Sequence, residues 1–171
     1  DVCSSDLITK QKRDIMSEFV GQLIGQKAPD FECEAITNNK IHTISSKDLE
    51  GSYTVLFFYP LDFTFVCPTE MHALQEQIAE FEKRNVKVCA ISVDSIHTHN
   101  AWVNTDKKDG GIKGISYSLL SDLTKEISYL FGVLKQDEGV SFRGTFILDK
   151  DNIIQHASVN NLPYEIGRAH V

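Results

Sequence analysis

Tyr59-Pro60-Leu61-Asp62-Phe63-Thr64-Phe65-Val66-Cys67-Pro68-Thr69-Glu70 is the stretch where the period of this sequence changes. Before it, Tyr53 to Tyr59 (YTVLFFY) is a continuous apolar run, β-branched and aromatic, with no charge. That composition predicts a buried strand. After it, Met71, Leu74, Ile78 and Phe81 fall on one helical face, with Glu76, Gln77, Glu80 and Glu82 largely opposite. Cys67 therefore belongs at a strand-to-helix junction, in the first helical turn or just before it. Pro68 suits that turn, where its missing N–H costs nothing.

The position has a chemical consequence. A helix N-terminus offers unpaired N–H groups and a partial positive charge. Both favour a thiolate, so the Cys67 pKa is expected below the free value of about 8.5. The Thr64 hydroxyl, three residues before Cys67, can reach the sulfur or a bound ligand. Pro60 stiffens the loop and can shield the sulfur from bulk water. A lone cysteine in an apolar run is ordinarily inert core filler. Pro, Thr, Cys and Glu at these offsets point instead to a reactive one.

Pro60, Thr64 and Cys67 match the pattern P-x-x-x-T-x-x-C, and Val66 to Glu70 reads VCPTE. In these residues the chain resembles the peroxiredoxins, in their typical two-cysteine, alkyl hydroperoxide reductase C-like branch. The resemblance runs from about Phe19 to Pro163. It implies a thiol-dependent peroxidase for hydrogen peroxide and organic hydroperoxides. Cys67 would be the peroxidatic cysteine, oxidised to a sulfenic acid. Arg143, read alone, is an ordinary strand arginine; the resemblance assigns it to the Cys67 sulfur. Glu70, read alone, is a first-turn acid favoured by the helix dipole; the resemblance has it holding the arginine. Backbone N–H groups near Val66 and Cys67 would help stabilise charge. The resemblance implies no metal or organic cofactor. It implies a thioredoxin-like or flavoprotein reductase as partner, and a homodimer or decameric ring.

The match departs from the family in one respect. The branch uses a second, resolving cysteine near the C-terminus, and no cysteine follows Cys89. Loss of that residue with a missing tail is the expectation; a one-cysteine peroxidase is the alternative. A ring-forming chaperone or scaffold is the reading from another class.

The ends look foreign. DVCSSDL (1–7) and EIGRAHV (165–171) can be encoded by reverse-complementary DNA, as a sequencing adapter at both ends of a fragment would be. Residues 1–15 are then a non-native or untranslated leader, with Met16 the expected start. Residues 16–164 are expected to form one peroxiredoxin domain lacking its C-terminal helix and tail.

Composition narrows the class further. The chain has 171 residues, 42% hydrophobic and 24% charged, and a net charge of −7. This is enough for one domain with a real core. The acidic balance argues against nucleic acid or an anionic membrane as partner. No apolar run is long enough to span a bilayer. Residues 1–15 lack the apolar segment of a signal peptide, so a cytoplasmic location is expected.

Along the chain, residues 20–31 are expected as loop and short strand, and Lys40 to Ile44 as half of a hairpin after Asn38-Asn39. Helix is expected from Met71 to about Arg84, strand over Val86 to Val93, and helix from His97 to Lys107, capped by Asp94 or Ser95. A short strand over Tyr117 to Leu120 precedes a helix from Thr124 to Phe131, with Asp122 as its cap. Lys135 to Gly139 is expected as a polar turn. Arg143 to Leu148 and Ile153 to Val159 should pair across the turn Asp149 to Asn152. Cys33 and Cys89 are expected as core filler, and Trp102 as a packing residue. His97 and His99, two apart, do not share a helical face, which argues against a metal site. His42, His72 and His156 are isolated. Strands alternating with helices and closing on a hairpin give an α/β class: a mixed central sheet with helices on both faces. The resemblance narrows this to the thioredoxin-like fold.

Overall fold

Residues 23–64 and 67–162 are described by a computed structural model, Cys67 as backbone only. The leader, the expected start at Met16 and the end 165–171 lie outside the described residues, as do Phe65 and Val66.

The apolar run becomes β3 (Tyr53–Phe58). Its alternation explains why it carries no polar face. Leu56 and Phe58 join one core cluster, Phe57 and Tyr59 the other. A strand covered on both faces needs apolar residues at every position. β3 lies near the middle of a seven-stranded sheet of order β2-β1-β5-β4-β3-β8-β9 among the described residues. Its partners are β4 (Val86–Ser92), parallel, and β8 (Arg143–Leu148), antiparallel. β5 (Ser118–Ser121) runs parallel to β4. β1 (Glu32–Thr37) runs antiparallel to β5 and carries β2 (Lys40–Ser45) on its other edge. β9 (Ile154–Asn160) runs antiparallel to β8.

Local chemistry sets the turns. Asn38 and Asn39 both take positive φ, +49° and +60°, which a tight two-residue hairpin requires and asparagine tolerates. In the β8–β9 turn, Asp149 accepts the N–H groups of Asp151 and Ile153. Asn152, at φ +59°, is buried and donates to the Ser46 carbonyl at 2.7 Å.

Helices cover both faces. α1 (Cys67–Glu76), α2 (Ile78–Lys83) and α3 (Ile96–Asn104) lie on the Tyr59 face; α1 gives its core Met71, α3 gives Ile96, Trp102 and Val103, and α2 packs Ile78 and Phe81 against it half-buried. α4 (Glu126–Leu130) lies on the Phe58 face through Ile127. There Phe58, Phe131 and Phe146 form a triangle of rings, centroids 5.1–5.6 Å apart.

Four expected boundaries are corrected. The single helix 71–84 is two helices, broken at Gln77, whose ψ of −1° departs from helical geometry. The helix expected to reach Lys107 ends at Asn104, and Lys107–Asp109 is a separate 3-10 turn. α4 starts at Glu126, after Lys125 in the left-handed region. Asp122 nonetheless serves it, its carboxylate accepting the N–H groups of Ile127 and Ser128. The polar turn at 135–139 is flanked by a small ribbon, β6 (Leu134–Lys135) with β7 (Val140–Ser141).

The ring triangle gives the first prediction. Phe146 is 1% exposed. Phe146→Ala should cost about 3–5 kcal/mol, read as a lower urea midpoint with unchanged slope. A loss below about 1 kcal/mol would mean that this face is not a close-packed core.

Candidate active site

Where β3 ends, the chain must turn and start α1. Tyr59 and Pro60 are buried at the sheet's end, and Leu61 is exposed. Asp62 turns back into the protein, 7% exposed. Phe63 then takes φ +54°, a left-handed conformation that is a genuine outlier for a bulky side chain. Such a residue costs about 1–3 kcal/mol and persists only where its neighbours are firmly held. Thr64 follows, half-buried, its hydroxyl donating to the Leu61 carbonyl at 3.2 Å. It precedes the helix rather than joining it.

α1 begins at Cys67. Its ten residues provide a dipole, and Cys67 occupies the positive end. Pro68 and Glu70 lie in the first turn. Val66 and the Cys67 side chain lie outside the described residues.

Arg143 is the first residue of β8 and is 3% exposed. The register pairs its neighbour Gly144 with Phe58, so Arg143 stands beside the end of β3 where the chain leaves for the turn. Its Nη1 donates to Glu70 Oε2, and its Nε donates to the Leu162 carbonyl at 3.4 Å. A strand residue and a helix residue 73 positions apart are thus joined by a buried ion pair. Beside the turn, a cavity of about 650 Å³ opens to solvent. Phe63, Thr64, Pro68, Thr69 and His72 line part of its wall.

A second constellation was missed in the sequence. His99 is fully buried, with Nδ1 2.7 Å from Asp62 Oδ2 and Nε2 3.1 Å from the Leu120 carbonyl. The Tyr59 hydroxyl donates to Asp62 Oδ1 at 2.7 Å. Burial raises the Asp62 pKa, against the lowering effect of the His99 hydrogen bond. Burial, with Asp62 beside it, holds the Tyr59 phenol well above its usual value. A signal was present: Ile96, His99, Trp102 and Val103 share the three-and-four spacing of one helical face. A histidine in such a stripe needs a polar partner from another element.

The two other cysteines among the described residues have different surroundings. Cys89 lies inside β4 and Cys33 inside β1; desolvation pushes each thiol up to about 12. Among the described residues, no group of three or more His, Cys, Asp or Glu side chains could hold a metal ion. No helix among them is long and apolar enough to cross a membrane.

A family model described as the AhpC/TSA family matches residues 24–157. The chloroplastic 2-Cys peroxiredoxin BAS1 of Spinacia oleracea is 52% identical over 148 residues, 86% of this chain and 55% of that protein. The mitochondrial thioredoxin-dependent peroxide reductase of Drosophila melanogaster is 49% identical over 146 residues, 85% of this chain and 62% of that protein. The chain thus spans a little over half the length of these curated relatives. Among solved structures, the reduced 2-Cys peroxiredoxin of Plasmodium vivax superposes with a TM-score of 0.82 at 43% identity, covering 87% of this chain and 77% of that one.

Thiol reactivity should follow surroundings. With pKa values raised to about 12, Cys33 and Cys89 stay protonated at neutral pH, and the thiolate is the nucleophile. Iodoacetamide at pH 7 should therefore alkylate Cys67 well before either, as read by peptide mass mapping. Faster labelling of Cys33 or Cys89 would remove Cys67 as the reactive thiol.

Proposed function

The chain belongs to the AhpC/TSA family, and from that premise we propose that it is a thiol-dependent peroxidase with Cys67 as the peroxidatic residue. The Cys67 thiolate attacks the terminal oxygen of a hydroperoxide in line. An S–O bond forms and the O–O bond breaks. Sulfur is oxidised to the sulfenic acid, and the leaving oxygen takes a proton and departs as water or alcohol. Charge moves from sulfur onto the two oxygens as the bond breaks. Fixed donors aimed at those atoms lower the barrier most. Arg143 and the backbone N–H groups of Val66 and Cys67 are the donors in this reading, and the Thr64 hydroxyl joins them when its proton turns from the Leu61 carbonyl to the peroxide. Glu70 holds Arg143, and Pro60 keeps water from the sulfur.

The observation that carries the reading is the buried Arg143–Glu70 pair at the first turn of α1. A guanidinium cannot discharge by losing its proton. Glu70 offsets its charge and fixes its place, so that the guanidinium and the helix N-terminus together favour a thiolate at Cys67.

The sulfenic acid must then be reduced. No cysteine follows Cys89 in these residues, so the reading takes the resolving thiol from outside them. A thioredoxin-like or flavoprotein reductase completes the cycle; the name of the Drosophila melanogaster relative supports the first. A homodimer or decameric ring belongs to the same proposal. Among the described residues no strand pairs with the outer edge of β9, and such an edge is a ready template for a second copy. The cytoplasmic location also stays within this proposal, since the relatives compared include chloroplastic and mitochondrial proteins.

One equivalent of hydrogen peroxide, followed by a sulfenic-acid trap and peptide mapping, should place one adduct per chain on Cys67. Arg143→Met removes a charge-assisted hydrogen bond worth roughly 1.5–3 kcal/mol. It should slow that oxidation by about one to two decades. No adduct on Cys67 would overturn the function, and an unchanged rate would take Arg143 out of the site.

A further inference from the structure

We propose that Tyr59, Asp62 and His99 form a buried clamp that sets the turn before α1, making them positioning residues for peroxide reduction through Thr64. This deepens the peroxidase reading and rests on it.

Hydrogen-bond chemistry defines the clamp. A carbonyl only accepts, so Leu120 requires a hydrogen on His99 Nε2. At 2.7 Å, Nδ1 and Asp62 Oδ2 need a proton between them, or two lone pairs would face each other. Tyr59 donates to the other carboxyl oxygen. Both oxygens of Asp62 are thus partnered inside the protein. Its backbone N–H donates to Asp94 Oδ2 at 2.8 Å, and the Ser92 hydroxyl donates to the same oxygen at 2.8 Å. Asp62 is therefore held directly from the end of β3, the end of β4 and α3, and through His99 from Leu120 in the C-terminal half of β5.

The turn needs such a hold. Phe63 comes next, in the left-handed region, and its side chain is 49% exposed. Burial does not keep it there; its ring has one described aromatic neighbour, Trp102, at 6.0 Å. The fixed point is Asp62. Were Asp62 released, Phe63 could relax to an ordinary conformation, and rotation there swings Thr64 away. A purely structural polar cluster would explain the burial. It would not explain why four elements converge on the residue two positions before Thr64.

The test uses the full chain with Tyr59→Phe, His99→Leu, His99→Asn, Thr64→Val and the double variant Tyr59→Phe/Thr64→Val. Two single-turnover rates at Cys67 are read for each, with hydrogen peroxide and with iodoacetamide. A third readout is cleavage after Phe63 by dilute chymotrypsin. Tyr59→Phe keeps the ring packed against Phe57 and Trp102, so it carries the test should a His99 variant fail to fold. The clamp predicts that Tyr59→Phe slows peroxide about tenfold and alkylation less than about twofold. It predicts that the double variant is no slower than Thr64→Val alone, because both act through one hydroxyl. His99→Asn, which restores a donor to Asp62, should retain more peroxide rate than His99→Leu, and both should be cut faster after Phe63. Multiplying effects in the double variant, equal losses with both reagents, or unchanged rates would each overturn the proposal. A wild-type chain inert to peroxide would instead sink the peroxidase reading, and cleavage after Phe63 would then decide the clamp alone.

Discussion

Arg143 carries a charge that cannot be neutralised, and it is buried. That constraint organises the molecule around it. A guanidinium removed from water needs a partner of opposite charge and acceptors for its remaining hydrogens. Glu70 supplies the charge from α1, and the Leu162 carbonyl accepts from Nε. β8 is fixed against β3 by a regular antiparallel ladder, so Arg143 cannot follow α1 if α1 shifts. The helix must therefore come to the arginine, and the backbone of Cys67 comes with it. Removing one member of such a pair typically costs 3–5 kcal/mol because the other stays buried and charged. An apolar pair of equal volume would stabilise the fold as well or better. Retaining the ions makes sense as chemistry at the helix end.

The same compromise appears in the turn. A relaxed connection from β3 to α1 would avoid a left-handed phenylalanine and a buried carboxyl. This chain uses both within two residues, and surrounds them with Tyr59, His99, Asp94 and Ser92. The sheet supplies rigidity for this. β3 and β4 run parallel and central, so their C-terminal ends open on one side. Tyr59, Asp62 and Asp94 all lie just beyond those ends. Sites built beyond the carboxyl ends of such strands inherit the stiffness of the sheet while their loops remain free to vary.

Elements whose signal is local were legible in the sequence. β3 declared itself by an unbroken apolar run, α1 by the spacing of Met71 and Leu74, and two hairpins by Asn38-Asn39 and Asp149 to Asn152. Each depends on residues within a turn or two of one another. The break at Gln77 left no such trace, because glutamine is an ordinary helix former. The ribbon of β6 and β7 is two residues per strand, too short for any period. The resemblance named Arg143 and Glu70 together. Their contact spans 73 positions and no local pattern encodes it. His99 and Asp62 are 37 positions apart. The stripe of Ile96, His99 and Trp102 says that the imidazole is buried and needs an acceptor, but not which element supplies it.

The central claim is that the folded surroundings of Cys67, rather than the thiol itself, make it fast with peroxide. The most direct measurement compares one chain in two states: the rate of Cys67 oxidation by hydrogen peroxide when folded, and in urea above the unfolding midpoint. Each rate is divided by the thiolate fraction measured in that state. The account predicts a folded rate higher by at least about two decades, the equivalent of removing about 2.7 kcal/mol from the barrier. Equal corrected rates would mean that Arg143, Thr64 and the helix end do nothing beyond ionising the thiol, and would contradict it.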